Sequence, residues 1–167
     1  TENLIAEISD DPFMESFRFI LPGYNLRPLE MSGAIGRAQL NKLDGIVKGR
    51  RRNAQSFKEF FSGIDGVTIQ NEVGESSWFG FSLIIENGSN RYELVSLLQN
   101  AGVEVRPIVA GNFVRNPVIE LMEHESYGDL EVADYIHHNG LFFGNHHYDI
   151  SKEIREISEI VKRFMRV

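Results

Sequence analysis

Apolar side chains recur with helical spacing along the first third of the chain. Met31 and Ile35 begin the pattern, and further members follow mostly at spacings of three, four or seven residues: Leu40, Leu43, Val47, Ala54, Phe57 and Phe61. This spacing predicts one long helix over residues 28–62 that begins near Pro28 and buries the stripe, and Gly45 and Gly49 allow a bend or break in it. Gly33 and Gly36 leave part of one face bare, which favours close helix packing there, with a dimer interface as one place for it.

Short apolar segments predict strands in the rest of the chain. The segment 77–86 gives the strongest signal, because it is aromatic and β-branched and ends at an Asn-Gly pair. We expect Trp78 and Phe79 of this segment to pack against the core. Other strands are predicted at residues 67–69, 103–108 and 141–145, and weak alternation predicts one at 13–21.

Three further helices are predicted from capping residues and apolar faces. The first covers residues 91–100, begins after Ser89 or Asn90, and ends before Gly102. The other two cover residues 129–138 and the C-terminal segment that follows Ser151 as N-cap. A short helical turn is predicted at 117–122. Together these elements predict an α/β (α+β) fold.

Composition limits the classes of function. The chain has 167 residues, enough for one domain with a core, and a formal net charge of -7. This acidic balance argues against a nucleic-acid binder, which needs basic residues for phosphate contacts. The sequence contains no cysteine, no apolar run near the roughly 18 residues of a membrane span, and no basic-then-apolar secretory signal. We therefore predict a cytoplasmic protein that has neither a nucleic-acid nor a membrane partner.

Five histidines lie between positions 124 and 147: His124, His137, His138, His146 and His147. Adjacent histidines on a helix or strand point in different directions, so neither pair chelates one ion easily. None of the spacings matches the His-Glu-x-x-His pattern of zinc enzymes. We therefore predict no metal site.

Asn25 and Arg27 lie just before the predicted start of the long helix. Unpaired N–H groups and the positive end of the helix dipole favour an anion at such a position, and a phosphate fits it. The alternative is an ordinary turn asparagine and a solvent-facing arginine.

Glu104 and Arg106 alternate with two valines in the segment 103–108, so their side chains are predicted to lie on the same face of a strand. The planar guanidinium of Arg106 suits a pyrophosphate, while Glu104 either holds a sugar hydroxyl or orients the arginine. The alternative is a surface ion pair worth at most about 1 kcal/mol. Asn112, in the loop that follows, either holds its own loop or contacts substrate.

The run Gly-Tyr-Asn-Leu-Arg at 23–27, together with residues 38–44 and 50–54, resembles the start of the C-terminal domain in the nucleotide-sugar aminotransferase and dehydratase family. These are fold-type-I enzymes that use pyridoxal or pyridoxamine phosphate. The resemblance implies a small, mainly antiparallel sheet flanked by helices after a long N-terminal helix. It assigns residues 23–167 to this small domain and 1–22 to a linker or the tail of the large domain. It also places Asn25 and Arg27 near the cofactor phosphate in the partner subunit of a homodimer.

The segment 104–112, Glu-Val-Arg-Pro-Ile-Val-Ala-Gly-Asn, resembles the dehydratase branch of the family. These enzymes remove the 3-hydroxyl of a nucleotide-linked 4-keto-6-deoxy sugar in deoxysugar and surface-polysaccharide synthesis. The resemblance implies substrate contacts from Glu104, Arg106, Asn112 and His146. The catalytic base, a histidine in dehydratases and a lysine in aminotransferases, belongs to the large domain, so no catalytic residue is expected in this chain.

The chain starts at Thr1 without an initiator methionine, and we expect it to be a piece of a longer enzyme that is inactive alone and binds no cofactor alone. Two alternatives stay open. The parent is an aminotransferase that uses pyridoxal phosphate, or the chain is a free-standing module that binds a nucleotide-sugar or a protein.

Overall fold

The computed structural model describes residues 11–23, 29–86 and 89–166. Its helices are α1 (Pro12–Glu15), α2 (Glu30–Leu40), α3 (Leu43–Phe61), α4 (Arg91–Asn100), α5 (Glu131–Asn139) and α6 (Ser151–Met165). Its strands are β1 (Val67–Ile69), β2 (Gly80–Ile85), β3 (Val105–Arg106) and β4 (Gly140–Gly144). Two short 3-10 helices, Phe113–Arg115 and Pro117–Leu121, follow β3, and the second confirms the predicted helical turn.

The four strands of the described residues form one sheet in the order β1-β2-β4-β3, in which every neighbouring pair is antiparallel. Phe142 of β4 pairs with Ser82 of β2 on one side and with Arg106 of β3 on the other. Arg106 therefore lies on an edge strand. The arrangement confirms the expected small antiparallel sheet flanked by helices.

The core lies between one face of the sheet and three helices, α3, α4 and α6. Alternate residues of β2 and β4 point into it, as their pleat requires: Phe81, Leu83, Ile85, Leu141 and Phe143. Phe57 of α3 is fully buried, and its ring lies 4.5 Å from that of Phe81 in a stacked arrangement. Ile154, Ile157 and Val161 of α6 are also buried, which confirms the predicted apolar face of the last helix.

The predicted long helix is two helices, with a break at Asn41 and Lys42 and not at a glycine. The buried stripe is confirmed from Ala54 onward in α3, where Ala54 is 2 % exposed, but it is wrong for Leu43 at the start of α3 and for α2 in this chain. Met31 and Ile35 are 69 % and 60 % exposed. Helical periodicity identifies a face that requires a partner, but it cannot tell whether that partner belongs to the same chain.

The strand predicted at 13–21 is wrong, because α1 occupies its first part. Asp11 caps this helix: its Oδ1 accepts hydrogen bonds from the backbone N–H groups of Phe13 (3.0 Å) and Met14 (3.3 Å). Pro12 occupies the first helical position, where a missing N–H costs nothing. The cap therefore decides the local structure against a weak alternation of apolar residues.

Helix capping was predicted correctly for α4 and one residue off for α6. Asn90 caps α4 by accepting from the N–H of Glu93 at 3.3 Å. At α6, Ser151 is the first helical residue, and Asp149 accepts from both its N–H (3.0 Å) and its hydroxyl (2.6 Å). These bonds lower the pKa of Asp149.

Candidate functional site

Arg106 lies on an aromatic platform built from three distant parts of the sequence. Its guanidinium carbon is 4.8 Å from the ring centre of Phe142, 5.3 Å from that of Phe17 and 5.6 Å from that of Phe79. Stacking on aromatic faces suits a guanidinium, which is only weakly hydrated there. None of the ion pairs among the described residues involves Arg106. The N–H groups of the Arg106 guanidinium therefore form no ion pair with a carboxylate of the described residues.

Phe79 is the exposed part of this platform. The prediction that it packs in the core is wrong, since it is 71 % exposed, whereas Trp78 is 2 % exposed and confirms its own prediction. Trp78 has a φ of +51°, a strained value for a bulky residue, and this backbone turn sends the two rings to opposite sides. Arg50 fixes the turn by donating to the carbonyl of Phe79 at 2.8 Å. Phe79 also stacks on Phe142, with ring centres 5.7 Å apart.

Glu104 and Arg106 line the same cavity, which has a volume of about 480 Å³ and lies between the edge of the sheet and α6. The structure thus brings together the two residues that the alternation paired. The alternative of an ion pair between them is wrong for the described residues, because no pair within 4.0 Å joins them. Glu153 and Glu156 of α6 also line this cavity, so its polar groups are carboxylates and one guanidinium.

Asn112 is buried and holds its own loop. Its backbone N–H donates to Nδ1 of His137 at 3.1 Å, and its side-chain N–H donates to Oδ1 of Asp134 at 2.7 Å. Its side-chain oxygen accepts from the N–H of Val114 at 3.2 Å. The structure therefore shows the loop-holding role, while a contact with substrate stays a prediction.

Asp134 connects this loop to Arg115 through two parallel hydrogen bonds. Nε of Arg115 donates to Oδ1 at 2.6 Å and Nη2 donates to Oδ2 at 2.8 Å. Together with the bond from Asn112, this pair holds the pKa of Asp134 well below its usual range and raises the pKa of Arg115. Asp134 is therefore a carboxylate throughout the physiological pH range.

His146 lies on an exposed turn that is held against α3. Its ring centre is 3.8 Å from that of Tyr148, and its carbonyl accepts from Nδ2 of Asn53 at 2.8 Å. The lining of the Arg106 cavity includes Gly144, the last residue of β4 before this turn, but not His146. A substrate contact from His146 stays a prediction.

Sequence reasoning missed the aromatic platform and the buried Asn53. The rings of the platform are separated by more than sixty positions in sequence, so no local pattern could have grouped them. Asn53 gave one available signal, a polar residue directly beside Ala54 on the apolar face of a helix. It is fully buried, which polar side chains adopt only when they are hydrogen-bonded.

Asn25 and Arg27 lie outside the described residues, and their predicted cofactor contacts stay predictions. Among residues 11–23, 29–86 and 89–166, no group of three or more His, Asp or Glu side chains is arranged to hold a metal ion. In the same part of the chain, no helix has the length and apolar character needed to cross a membrane.

Comparison with known families supplies the context for this geometry. The model of the DegT/DnrJ/EryC1/StrS aminotransferase family matches residues 6–162. The chain belongs to this family. The resemblance drawn from the motifs at 23–27 and 104–112 is thereby confirmed at the level of the family.

The chain is 50 % identical over 164 residues to the GDP-4-keto-6-deoxy-D-mannose 3-dehydratase of Yersinia pseudotuberculosis. The match covers 96 % of the chain and 42 % of that relative. A structure of the E. coli enzyme of that name with bound hydrated PLP matches with a TM-score of 0.77 at 48 % identity, covering 91 % of the chain and 40 % of the solved one. A GDP-4-keto-6-deoxymannose-3-dehydratase mutant with bound GDP-perosamine matches with a TM-score of 0.78 at 48 % identity, covering 92 % and 40 %. The chain thus spans about two fifths of the length of these relatives.

Proposed function

We propose that this chain is the C-terminal, substrate-binding part of a pyridoxamine-phosphate-dependent nucleotide-sugar 3-dehydratase that acts on a GDP-linked 4-keto-6-deoxyhexose in deoxysugar synthesis. The observation behind the proposal is Arg106, which is held on aromatic rings at the edge of the sheet and faces a cavity. The chain that carries it is 50 % identical to the GDP-4-keto-6-deoxy-D-mannose 3-dehydratase of Yersinia pseudotuberculosis. We place the parent enzyme in the cytoplasm, where nucleotide sugars are made.

Arg106 and Glu104 divide the recognition of such a substrate between them. A guanidinium that lies flat on rings keeps its edge for oxygen ligands, so Arg106 binds the diphosphate through paired charge-assisted hydrogen bonds. Glu104, exposed on the same cavity, accepts from a sugar hydroxyl. Asn112 keeps the following loop in place, and we retain His146 as a weaker contact on the neighbouring turn.

We expect the described residues not to bind the cofactor by themselves. The Arg106 cavity is lined by three carboxylates and one guanidinium, and none of the described residues that line it is a lysine or a histidine. This cavity therefore offers neither an amine nor an imidazole to a cofactor. When bound to the parent enzyme, the cofactor supplies an amine and an electron sink. Asn25 and Arg27 would hold its phosphate from the partner subunit of a homodimer.

An aminotransferase parent is the second candidate, because the matching family model is named for aminotransferases. The base that separates the two chemistries, histidine or lysine, is expected in the large domain. Sequencing the coding region upstream of Thr1 distinguishes them: a histidine at the base position supports the dehydratase, and a lysine there supports the aminotransferase. A reading frame that begins at residue 1 would favour the free-standing binding module.

A chimera tests whether this chain can perform the proposed role. Residues 11–166 replace the matching part of the Yersinia dehydratase, and loss of the sugar 3-hydroxyl is followed by mass spectrometry. The expected result is turnover in the chimera and a large loss of turnover in its Arg106→Ala variant. A chimera that is dimeric and loaded with cofactor, but that leaves the GDP-sugar unchanged, would refute the proposed function.

A further inference from the structure

The loop that follows Arg106 is attached to α5 at two side chains. The backbone N–H of Asn112 donates to Nδ1 of His137 at 3.1 Å, and its side chain donates to Asp134 at 2.7 Å. His137 and Asp134 are three residues apart, so they lie on the same face of α5. The helix therefore presents an imidazole and a carboxylate together to one loop residue.

The backbone of this loop has an unusual conformation. Val109 has a φ of +55°, although it is β-branched and 79 % exposed. Strained conformations of this kind persist only where the surrounding structure fixes them. At Gly111, where φ is +65°, a Cβ atom would clash with Nδ1 of His137. The loop thus lies directly on the imidazole, and a glycine is required for that approach.

The hydrogen bond determines the protonation state of His137. A backbone N–H can only donate, so Nδ1 must accept and the ring must be neutral with its proton on Nε2. Burial is the main factor that lowers the pKa of His137, and His138, Arg115 and Arg91 act in the same direction, while Asp134 opposes them. Other ionisable groups line the cavity beside the ring: Asp11, Arg18 and Tyr92.

Arg106 is close to this anchor in the sequence. Five residues, 107–111, separate it from Asn112, and the first of them, Pro107, is fully buried. A short connection that is fixed at both ends limits the positions open to the strand residue before it. Loss of the His137 bond would leave Asn112 held by Asp134 and would give the connection to Arg106 more freedom.

We propose that His137 is a positioning residue: in its neutral form it is one of the two side chains that anchor the loop 108–112 and thereby position Arg106, and protonation of its ring removes this anchor and leaves the bond to Asp134. Protonated Nδ1 is a donor that faces the N–H donor of Asn112, so the bond cannot survive. The identity of the ligand that Arg106 binds rests on the proposed function, whereas the anchoring of the loop by His137 does not.

Hydrogen exchange of the Asn112 amide in the purified chain tests the anchor. We expect the protection factor of this amide to fall by about tenfold as the pH is lowered through the His137 titration, which is followed by NMR. The Nε–H resonance of Arg106 should shift with the same midpoint. The His137→Asn variant, whose side-chain oxygen accepts near the position of Nδ1, should keep protection at high pH and lose the pH dependence. His138→Asn, on the exposed neighbour, should keep the pH dependence but raise its midpoint, because His138 is one of the groups that lower the pKa of His137.

Constant protection of Asn112 across the titration, or an Arg106 resonance that does not follow it, would overturn the proposal. GDP binding to the chimera separates this proposal from the proposed function. If the amide and Arg106 respond but GDP binds at no pH, the anchor stands and the proposed function fails. If GDP binds with the same affinity on both sides of the titration, the positioning role is refuted.

Discussion

Asn53 and Asn145 are joined inside the protein, since Nδ2 of Asn53 donates to Oδ1 of Asn145 at 3.2 Å. Asn53 also donates to the carbonyls of His146 (2.8 Å) and Tyr148 (2.7 Å). Asn145 donates to the carbonyls of Arg50 and Trp78, each at 3.0 Å. Two amides thus join α3, the turn after β4 and the residues before β2. They fix the turn that follows Gly144, the end of β4, which lines the Arg106 cavity.

Removal of the Asn53 amide should destabilise the protein strongly. In Asn53→Ala the carbonyls of His146 and Tyr148 lose their buried donor, and we expect the free energy of unfolding to fall by about 2 to 3 kcal/mol. Urea unfolding followed by circular dichroism measures it. Gln55→Ala, on the exposed side of the same helix, is the control and should change stability by less than about 0.5 kcal/mol. Equal losses in the two variants would contradict the account of the amide pair.

Gly49 and Gly45 give opposite expectations for the same substitution. A Cβ atom at Gly49 would clash with the carbonyl of His147, whereas nothing lies within 4 Å of a Cβ at Gly45 among the described residues. We expect Gly49→Ala to destabilise by about 1 to 3 kcal/mol through overpacking. Gly45→Ala should stabilise α3 by about 0.5 kcal/mol, because alanine has the higher helix propensity. Thermal unfolding of both variants tests the contrast, and a stabilised Gly49→Ala would show that the turn lies further from α3.

Arg106→Lys should weaken substrate binding even though the charge is kept. A lysine neither makes paired hydrogen bonds nor lies flat on Phe17, Phe79 and Phe142. In the chimera with the Yersinia enzyme we expect KM for the GDP-sugar to rise by about tenfold. Arg52→Lys, at an exposed arginine that pairs with Asp149 at 3.9 Å, is the matched control and should leave KM unchanged. An unchanged KM in Arg106→Lys would remove this residue from the substrate site.

Glu72 should make stability depend on pH in the acid range. Hydrogen bonds from Lys58, the Ser76 N–H and Trp78 lower its pKa from 4.5 to about 2. Because the pKa in the folded state is the lower one, the stabilisation is complete above pH 4.5 and is lost as the pH falls towards 2. Glu72→Gln should therefore be less stable than the wild type at pH 7, and the difference should shrink below pH 4.5. Glu75→Gln, on the exposed part of the same loop, is the control. A stability difference between Glu72→Gln and the wild type that stays constant with pH would contradict the assignment.

The sequence predicted elements best where a single residue decides the local structure. Asn90 caps α4, and its predicted range is the observed one. Prediction was wrong where a cap competed with alternation, as at Asp11, and where an apolar stripe is exposed in the described chain, as at Met31. Propensity and periodicity reflect residues that are neighbours in the sequence. These errors arise at positions where other contacts decide the structure.

At the candidate site, alternation correctly placed Glu104 and Arg106 on one cavity. The three rings beneath Arg106 could not be predicted, because they come together only when the strands pair and the segment before Gly23 returns to the sheet. The outward turn of Phe79 depends on the positive φ of Trp78, and an aromatic, β-branched segment gives no sign of such a turn.

The backbone turn at Trp78 has a practical consequence. Trp78 is the single tryptophan of the sequence, and its buried ring lies 6.0 Å from that of Phe57 in the core. The next residue, Phe79, is exposed beside Arg106. Fluorescence emission from Trp78 therefore reports unfolding of the core, and a ligand that settles against Phe79 perturbs the same emission from the adjacent residue. The protein thus contains an intrinsic optical reporter for both events, with no label added.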